Sequence, residues 1–221
     1  MLHLDVPEAN SPEANDALNE GLRALQDALR TPGLETALYN GLPPSFHDAM
    51  GRWWTAYDRY LSIVSGAMKV TCARGCAFCC MDNPRGISGV ELLGVFQSLA
   101  PEQRGTANAP AERFQTLVDE HGVEDAQVRS KAQLNPCMYL VEGACSVYAA
   151  RPMACRMFFS VTVPSACDPA TDAQPVNPKL EPPQVLKDLL KAISHRLQLH
   201  RLPKDLRRGM AAIELHPPLR R

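Results

Sequence analysis

Cys72-Ala73-Arg74-Gly75-Cys76-Ala77-Phe78-Cys79-Cys80 sets four thiols within nine residues, and the other four cysteines, Cys137, Cys145, Cys155 and Cys167, fall in one later stretch. Thiols at this spacing point to metal ligation. Each sulfur must lose its proton to bind, and a soft cation, zinc or the iron of an iron-sulfur cluster, offsets that cost. Cys72 and Cys76 are four residues apart and Cys76 and Cys79 three, so a turn or loose helical segment presents three sulfurs to a common point, with Gly75 and Gly86 letting the backbone wrap around it. Cys80, directly after Cys79, is expected to aim its sulfur elsewhere and to serve a second metal or none. The later cysteines supply the missing donors. Eight thiolates are enough for two four-sulfur sites, or for one centre with spectators.

Outward from this stretch the chain reads as helices. On the N-terminal side, Leu18, Leu22, Leu25 and Leu29 form one helical stripe over residues 11–30, with Ser11 as cap, Pro12 in the first turn and Thr31-Pro32-Gly33 as the stop. Phe46, Met50, Trp53, Tyr57, Leu61 and Val64 predict a longer helix over residues 45–65 that delivers the chain to Cys72. On the C-terminal side, residues 81–86 are turn material, and Ser88-Gly89-Val90-Glu91 has capping-box spacing at the head of a third helix. A polar connection over residues 101–110 leads to a helix with Phe114, Leu117, Val118 and His121, then to a short one before Asn135-Pro136. The segments Cys137-Met138-Tyr139-Leu140 and Cys145-Ser146-Val147-Tyr148 flank Val141-Glu142-Gly143-Ala144, a small hairpin with a cysteine starting each strand. Residues 156–163 are expected as a short strand, and 164–183, with six of the nineteen prolines, as loop. Val185, Leu186, Leu189, Ile193 and Leu197 mark a helix over 183–200, and Leu206, Met210 and Ile213 a last one. His195 and His200, five apart on that helix, would stand about 140° around it and form no ligand pair.

At 221 residues and 45% hydrophobic side chains, the chain can bury a core without cross-links. The first residues carry no basic and apolar leader, and no run approaches eighteen apolar residues, so the expectation is a cytoplasmic chain with no membrane partner, whose cysteines are ligands rather than disulfides. Residues 1–66 hold 4 basic and 9 acidic side chains, whereas residues 176–221 hold 10 basic and 4 acidic. That asymmetry allows the two ends to attract each other or the tail to meet an acidic partner, while solvated helix faces are the plainer reading. Without interleaved aromatics the basic tail gives no reason to expect nucleic acid. No glycine-rich phosphate loop, nucleophile elbow or H-E-x-x-H helix is present, and the second cysteine group lacks the paired knuckle of a zinc ribbon.

Cys72-x3-Cys76-x2-Cys79-Cys80, the Ser88-to-Glu91 helix start, Pro136-Cys137-x-Tyr139-Leu140 and Cys145-Ser146-Val147-Tyr148-x-x-Arg151-Pro152-x-x-Cys155-Arg156 together resemble the YkgJ-type cysteine-cluster family over roughly residues 69–170. The resemblance implies a zinc- or iron-chelating domain. One branch of that family resembles flagellin lysine N-methylases, in which the cluster is held to carry a 4Fe-4S centre, although no motif in the flanking arms ties this chain to it. Cys72-x3-Cys76-x-Phe78-Cys79 also resembles the three-cysteine loop of radical S-adenosylmethionine enzymes, but those place it after the first strand of a strand-helix barrel, which this helical chain does not build.

Arg74, Arg151 and Arg156 lie near the thiols. A guanidinium there can neutralise and hydrogen-bond thiolates, grip a carboxylate or phosphate of a bound cofactor or substrate, or form an ordinary salt bridge, for instance to Glu142 or Asp168. Tyr139 and Tyr148 either shield the site or pack in the hairpin. The expected fold is mainly α, with a helical arm over residues 1–65, a cysteine-rich metal-binding centre over 66–170 with an irregular or hairpin core, and a second arm over 171–221 packing on the same core. The expected ligands are Cys72, Cys76, Cys79, Cys80, Cys137, Cys145, Cys155 and Cys167, holding an iron-sulfur cluster (4Fe-4S) or Zn2+. Three roles are open to such a chain: a metal-binding protein, a cluster-dependent enzyme acting on a protein side chain, or a structural zinc module that meets a protein partner.

Overall fold

The computed structural model describes residues 7–68, 70–72, 76–82, 84–132, 135–168 and 182–219. Arg74 and Gly75, and most of the proline-rich loop, lie outside them. The N-terminal part holds α1 (Pro12–Arg30), the short α2 (Ala37–Asn40) and α3 (Pro44–Ala67). After the first cysteines come α4 (Gly89–Ser98), α5 (Asn108–His121) and α6 (Val123–Ala132). The hairpin strands β1 (Leu140–Val141) and β2 (Ala144–Cys145) follow, then α7 (Met153–Arg156), α8 (Gln184–Arg196) and α9 (Leu206–Glu214). The mainly helical architecture with a small hairpin beside the cysteines is the one expected. Among the described residues no helix is long and apolar enough to cross a membrane.

Ser11 caps α1, its hydroxyl accepting from the Ala14 amide at 3.2 Å, with Pro12 in the first turn. The most deeply buried line of α1 is not the leucine stripe but Ala14, Ala17, Gly21, Ala24 and Ala28; Leu25 joins it, while Leu18, Leu22 and Leu29 flank it half-buried. Small residues there let α3 approach closely. A Cβ on Gly21 would sit 2.9 Å from the Trp53 ring, which fills the space and stacks on Tyr57 with ring centroids 4.9 Å apart. Tyr57 is fully buried, and desolvation holds its phenol protonated.

The C-terminal arm closes on the same apolar core. Helix α8 packs on α1 and α4, and Arg196 near its end pairs with Glu35 at 2.7 Å while donating to the Leu29 and Thr31 carbonyls. The charge asymmetry of the two ends is thus partly spent on joining them. The Ser194 hydroxyl accepts from the Val90 amide at 3.0 Å, fixing α8 on the first turn of α4. Helix α8 stops at Arg196 because Gln198 turns left-handed (φ 60°), which returns the Leu199 amide to the Ser194 carbonyl at 2.8 Å. The same turn corrects the geometry expected for the histidines. His195 and His200 stack face to face, with ring centroids 4.1 Å apart, because they do not share one continuous helix. Both are exposed.

Residues 84–87 pair with 204–206, through Ile87 amide to Lys204 carbonyl and Leu206 amide to Pro84 carbonyl bonds. This seats the chain leaving the first cysteines beside the start of α9. Asp205 caps α9, and buried Arg207 binds Asp205, Ser130 and Gln127 while covering the Phe114 ring, which ties α9 to α5 and α6.

Candidate metal centre

The first cysteines are positioned from both sides. After α3 the Thr71 amide and hydroxyl donate to the Ser160 carbonyl at 3.0 and 3.1 Å, and the Ser160 amide donates to Cys72 Sγ at 3.2 Å. Residues 156–163 form no strand: Met153–Arg156 is helical, a bend follows Ser160, and the pairing is confined to Thr71, whose hydroxyl also reaches the Thr162 carbonyl. Cys79 and Cys80 ride on the 3-10 turn Phe78–Asp82, which packs against the turn Pro164–Cys167 and so brings Cys167 to the first group.

The Cys80 carbonyl accepts from the Cys137 amide at 2.7 Å, a direct backbone link between early and late cysteines. The hairpin is tighter than expected. Its turn is Glu142-Gly143, both with positive φ (49° and 76°), and Leu140 faces Cys145. That is the two-residue type I′ geometry, whose twist matches paired strands. Cys137 therefore precedes β1 by three residues and Cys145 ends β2, instead of each opening a strand.

Cys155 depends on Glu91. The buried Glu91 carboxylate closes the capping box of α4, with Oε2 accepting from the Ser88 amide and hydroxyl at 2.8 and 2.6 Å. Its other oxygen accepts from the Met153 amide at 2.8 Å, the first residue of α7. One side chain thereby fixes the start of two helices, one of which carries Cys155. Burial pushes the Glu91 carboxyl above its ordinary range. The capping role is legible in the local spacing, whereas the bond to Met153, 62 residues away, has no sequence signal.

All eight cysteines are free and line one cavity of about 570 Å3, with Tyr139, Tyr148, Arg151, Phe158 and Leu206 among its other walls. Cys137 is buried, Cys72 and Cys79 are exposed as whole residues although their thiols are partly desolvated, and the rest are intermediate. Interaction with the neighbouring Cys80 thiol, followed by burial, holds the Cys79 thiol above its ordinary range. Burial raises Cys72, Cys76 and Cys155 too, and pushes Cys137 up to about 11. Among the described residues, no three His, Cys, Asp or Glu side chains stand close enough to hold one ion. The sulfurs are arrayed around a bowl and must draw inward to ligate.

The donor chemistry of this bowl suits a soft metal. Its walls offer eight thiols, the Arg151 guanidinium, and Tyr139, a buried residue whose hydroxyl has no hydrogen-bond partner among the described residues. Arg151 stacks 3.5 Å over the Tyr148 ring, anchors Nε on the Tyr148 carbonyl at 3.0 Å and lies in the field of Cys79 and Cys155. Arg156 sits differently. It is not among the cavity walls, and its guanidinium grips Asp58 at 2.5 and 2.6 Å, donates to the Arg151 and Ala149 carbonyls and covers the Trp54 ring. Its salt-bridge partner is Asp58, not Glu142 or Asp168, and its donors are committed to the fold. Tyr139 packs in the core against the cavity, while Tyr148 stands 62% exposed.

Residues 71–175 match the CxxCxxCC family model, described as "Putative zinc- or iron-chelating domain". The match covers the same cysteine groups on which the family resemblance rests. The first gap here holds three residues, Ala73, Arg74 and Gly75, where the family's title writes two. No curated protein and no solved structure matches the chain.

Proposed function

We propose, from the match of residues 71–175 to the CxxCxxCC family, that this is a metal-binding protein whose thiolates hold an iron-sulfur cluster or zinc at the junction of its two helical arms. The observation carrying this reading is that cysteines up to 95 positions apart, Cys72 and Cys167, line one cavity with every other cysteine of the chain. Ordinary free cysteines have no reason to gather so, since an isolated thiol gains as much from any small apolar pocket. The metal draws the bowl's walls together, and its binding energy adds to folding. Arg151 offsets part of the negative charge, a means of tuning a thiolate centre.

Anaerobic purification of the intact chain, with iron, zinc and acid-labile sulfide quantified, tests the reading. Brown protein containing iron and sulfide identifies a cluster, colourless protein with stoichiometric zinc identifies zinc, and neither metal overturns the proposal. Cys76→Ser is expected to lose at least half of the bound metal, whereas His195→Ala, outside the cavity, retains all of it. Equal metal content in the two variants would contradict the assignment.

A further inference from the structure

We infer that the eight thiols form two four-sulfur centres: Cys72, Cys76 and Cys167 with Cys79 hold one metal, and Cys137, Cys145 and Cys155 with Cys80 hold the other. This rests on the chelation reading above and divides it. The first group is gathered by the packing of the Pro164–Cys167 turn on the Phe78–Asp82 turn and by the Ser160 amide on Cys72. Cys72 and Cys76 both lie in the field of Cys79 and Cys167. The second group is gathered by different elements: the bond from the Cys137 amide to the Cys80 carbonyl, the hairpin that carries Cys145, and helix α7. Cys155 lies in the field of Cys137, Cys145 and Cys79, and Cys137 in that of Cys145 and Cys79, so Cys79 borders both groups.

A tetrahedral zinc site places four sulfurs about 2.3 Å from the ion, hence within roughly 4 Å of one another. Eight thiols spread around a cavity of about 570 Å3 cannot all serve one such ion, and a single site would leave four idle. Two sites use all of them. The neighbours Cys79 and Cys80 stand where the two groups meet, Cys79 in the field of thiols on both sides and the Cys80 carbonyl accepting from the Cys137 amide, so each can give its sulfur to one side. This also supplies a reason for the doubled cysteine, which a single tetrahedral ion would not need.

The test titrates Zn2+ into the intact chain, stripped of metal and kept reduced, and counts by mass spectrometry the thiols protected from alkylation. Two equivalents bound and eight thiols protected are expected. Cys167→Ser and Cys145→Ser should each retain one equivalent, with protection surviving in the opposite group, and the double variant should retain none. One equivalent with four thiols protected in the unmodified protein overturns the two-centre assignment and leaves chelation standing. So does loss of both equivalents in either single variant when far-ultraviolet circular dichroism is unchanged. No binding at all overturns the chelation reading with it. The count on unmodified protein decides the matter even where a variant fails to fold.

Discussion

Replacing Glu91 with alanine is expected to destabilise the metal-free protein by about 3 kcal/mol, lowering its Tm by roughly 6–12 °C. Two losses combine. The capping box of α4 goes, worth about 1 kcal/mol, and the Met153 amide is left unpaired, which costs about 1–3 kcal/mol where it is buried. Because that amide opens α7, the position of Cys155 loosens with it, and reduced metal retention is expected alongside the lower Tm. Glu91→Gln separates charge from shape. It keeps an acceptor for Ser88 but turns an amide donor toward Met153, so it should fall between wild type and alanine. The pH dependence has a definite sign. Burial raises the folded carboxyl above its unfolded value. Its contribution is therefore full below the unfolded carboxylate range and declines as pH rises through the raised folded value. Wild type should lose its margin over Glu91→Gln across that window, measured by denaturant unfolding of metal-free protein. A loss below about 1 kcal/mol for the alanine variant would show that Glu91 does not hold the two helices together.

Gly89→Ala is expected to be more damaging still, at more than about 3 kcal/mol, because the new methyl has no room. A Cβ there would lie 2.3 Å from the Leu199 carbonyl oxygen and 2.6 Å from its Cβ. Backbone cannot step aside as a flexible side chain can, so α4 and the α8–α9 connection must separate, which also breaks the bond from Val90 to Ser194. Gly209→Ala meets the Pro203 carbonyl and Leu92 at 2.6 Å and should behave similarly. Gly94 is the control, since it lies in the same helix as Gly89 and a methyl added to it would meet nothing within 4 Å. Alanine there should stabilise by about 0.5–1 kcal/mol through helix propensity alone. Thermal unfolding of the three variants reads this directly, and a Gly89→Ala protein as stable as wild type would mean that α4 does not sit against Leu199.

What is legible in the sequence follows from which interactions are local. Ser11 with Pro12, and Ser88 with Glu91, announce helix starts because capping acts across three residues. The two cysteine groups are equally local, and so is the hairpin between them, although its connection reads as residues 141–144 and closes on Glu142-Gly143 alone. The alanine face of α1 is not legible, since which stripe faces a neighbour depends on how closely that neighbour comes, and Trp53 settles it from a distance. The short helix α7 is hidden for a different reason: four residues carry too little periodicity, and a carboxylate from α4 supplies its first hydrogen bond. Arg156 resembles a partner of the thiols by its neighbour Cys155, but its side chain leaves the cavity for Asp58 on α3. The pairing of early with late thiols is an inference from chemistry, and the Cys80-to-Cys137 bond gives it a physical path.

The most direct measurement is X-ray absorption at the edge of the metal retained by anaerobically purified protein. A first shell of sulfur at about 2.3 Å, four per metal ion, is the predicted result. A first shell dominated by nitrogen or oxygen would contradict the claim that the gathered thiols are what hold the metal.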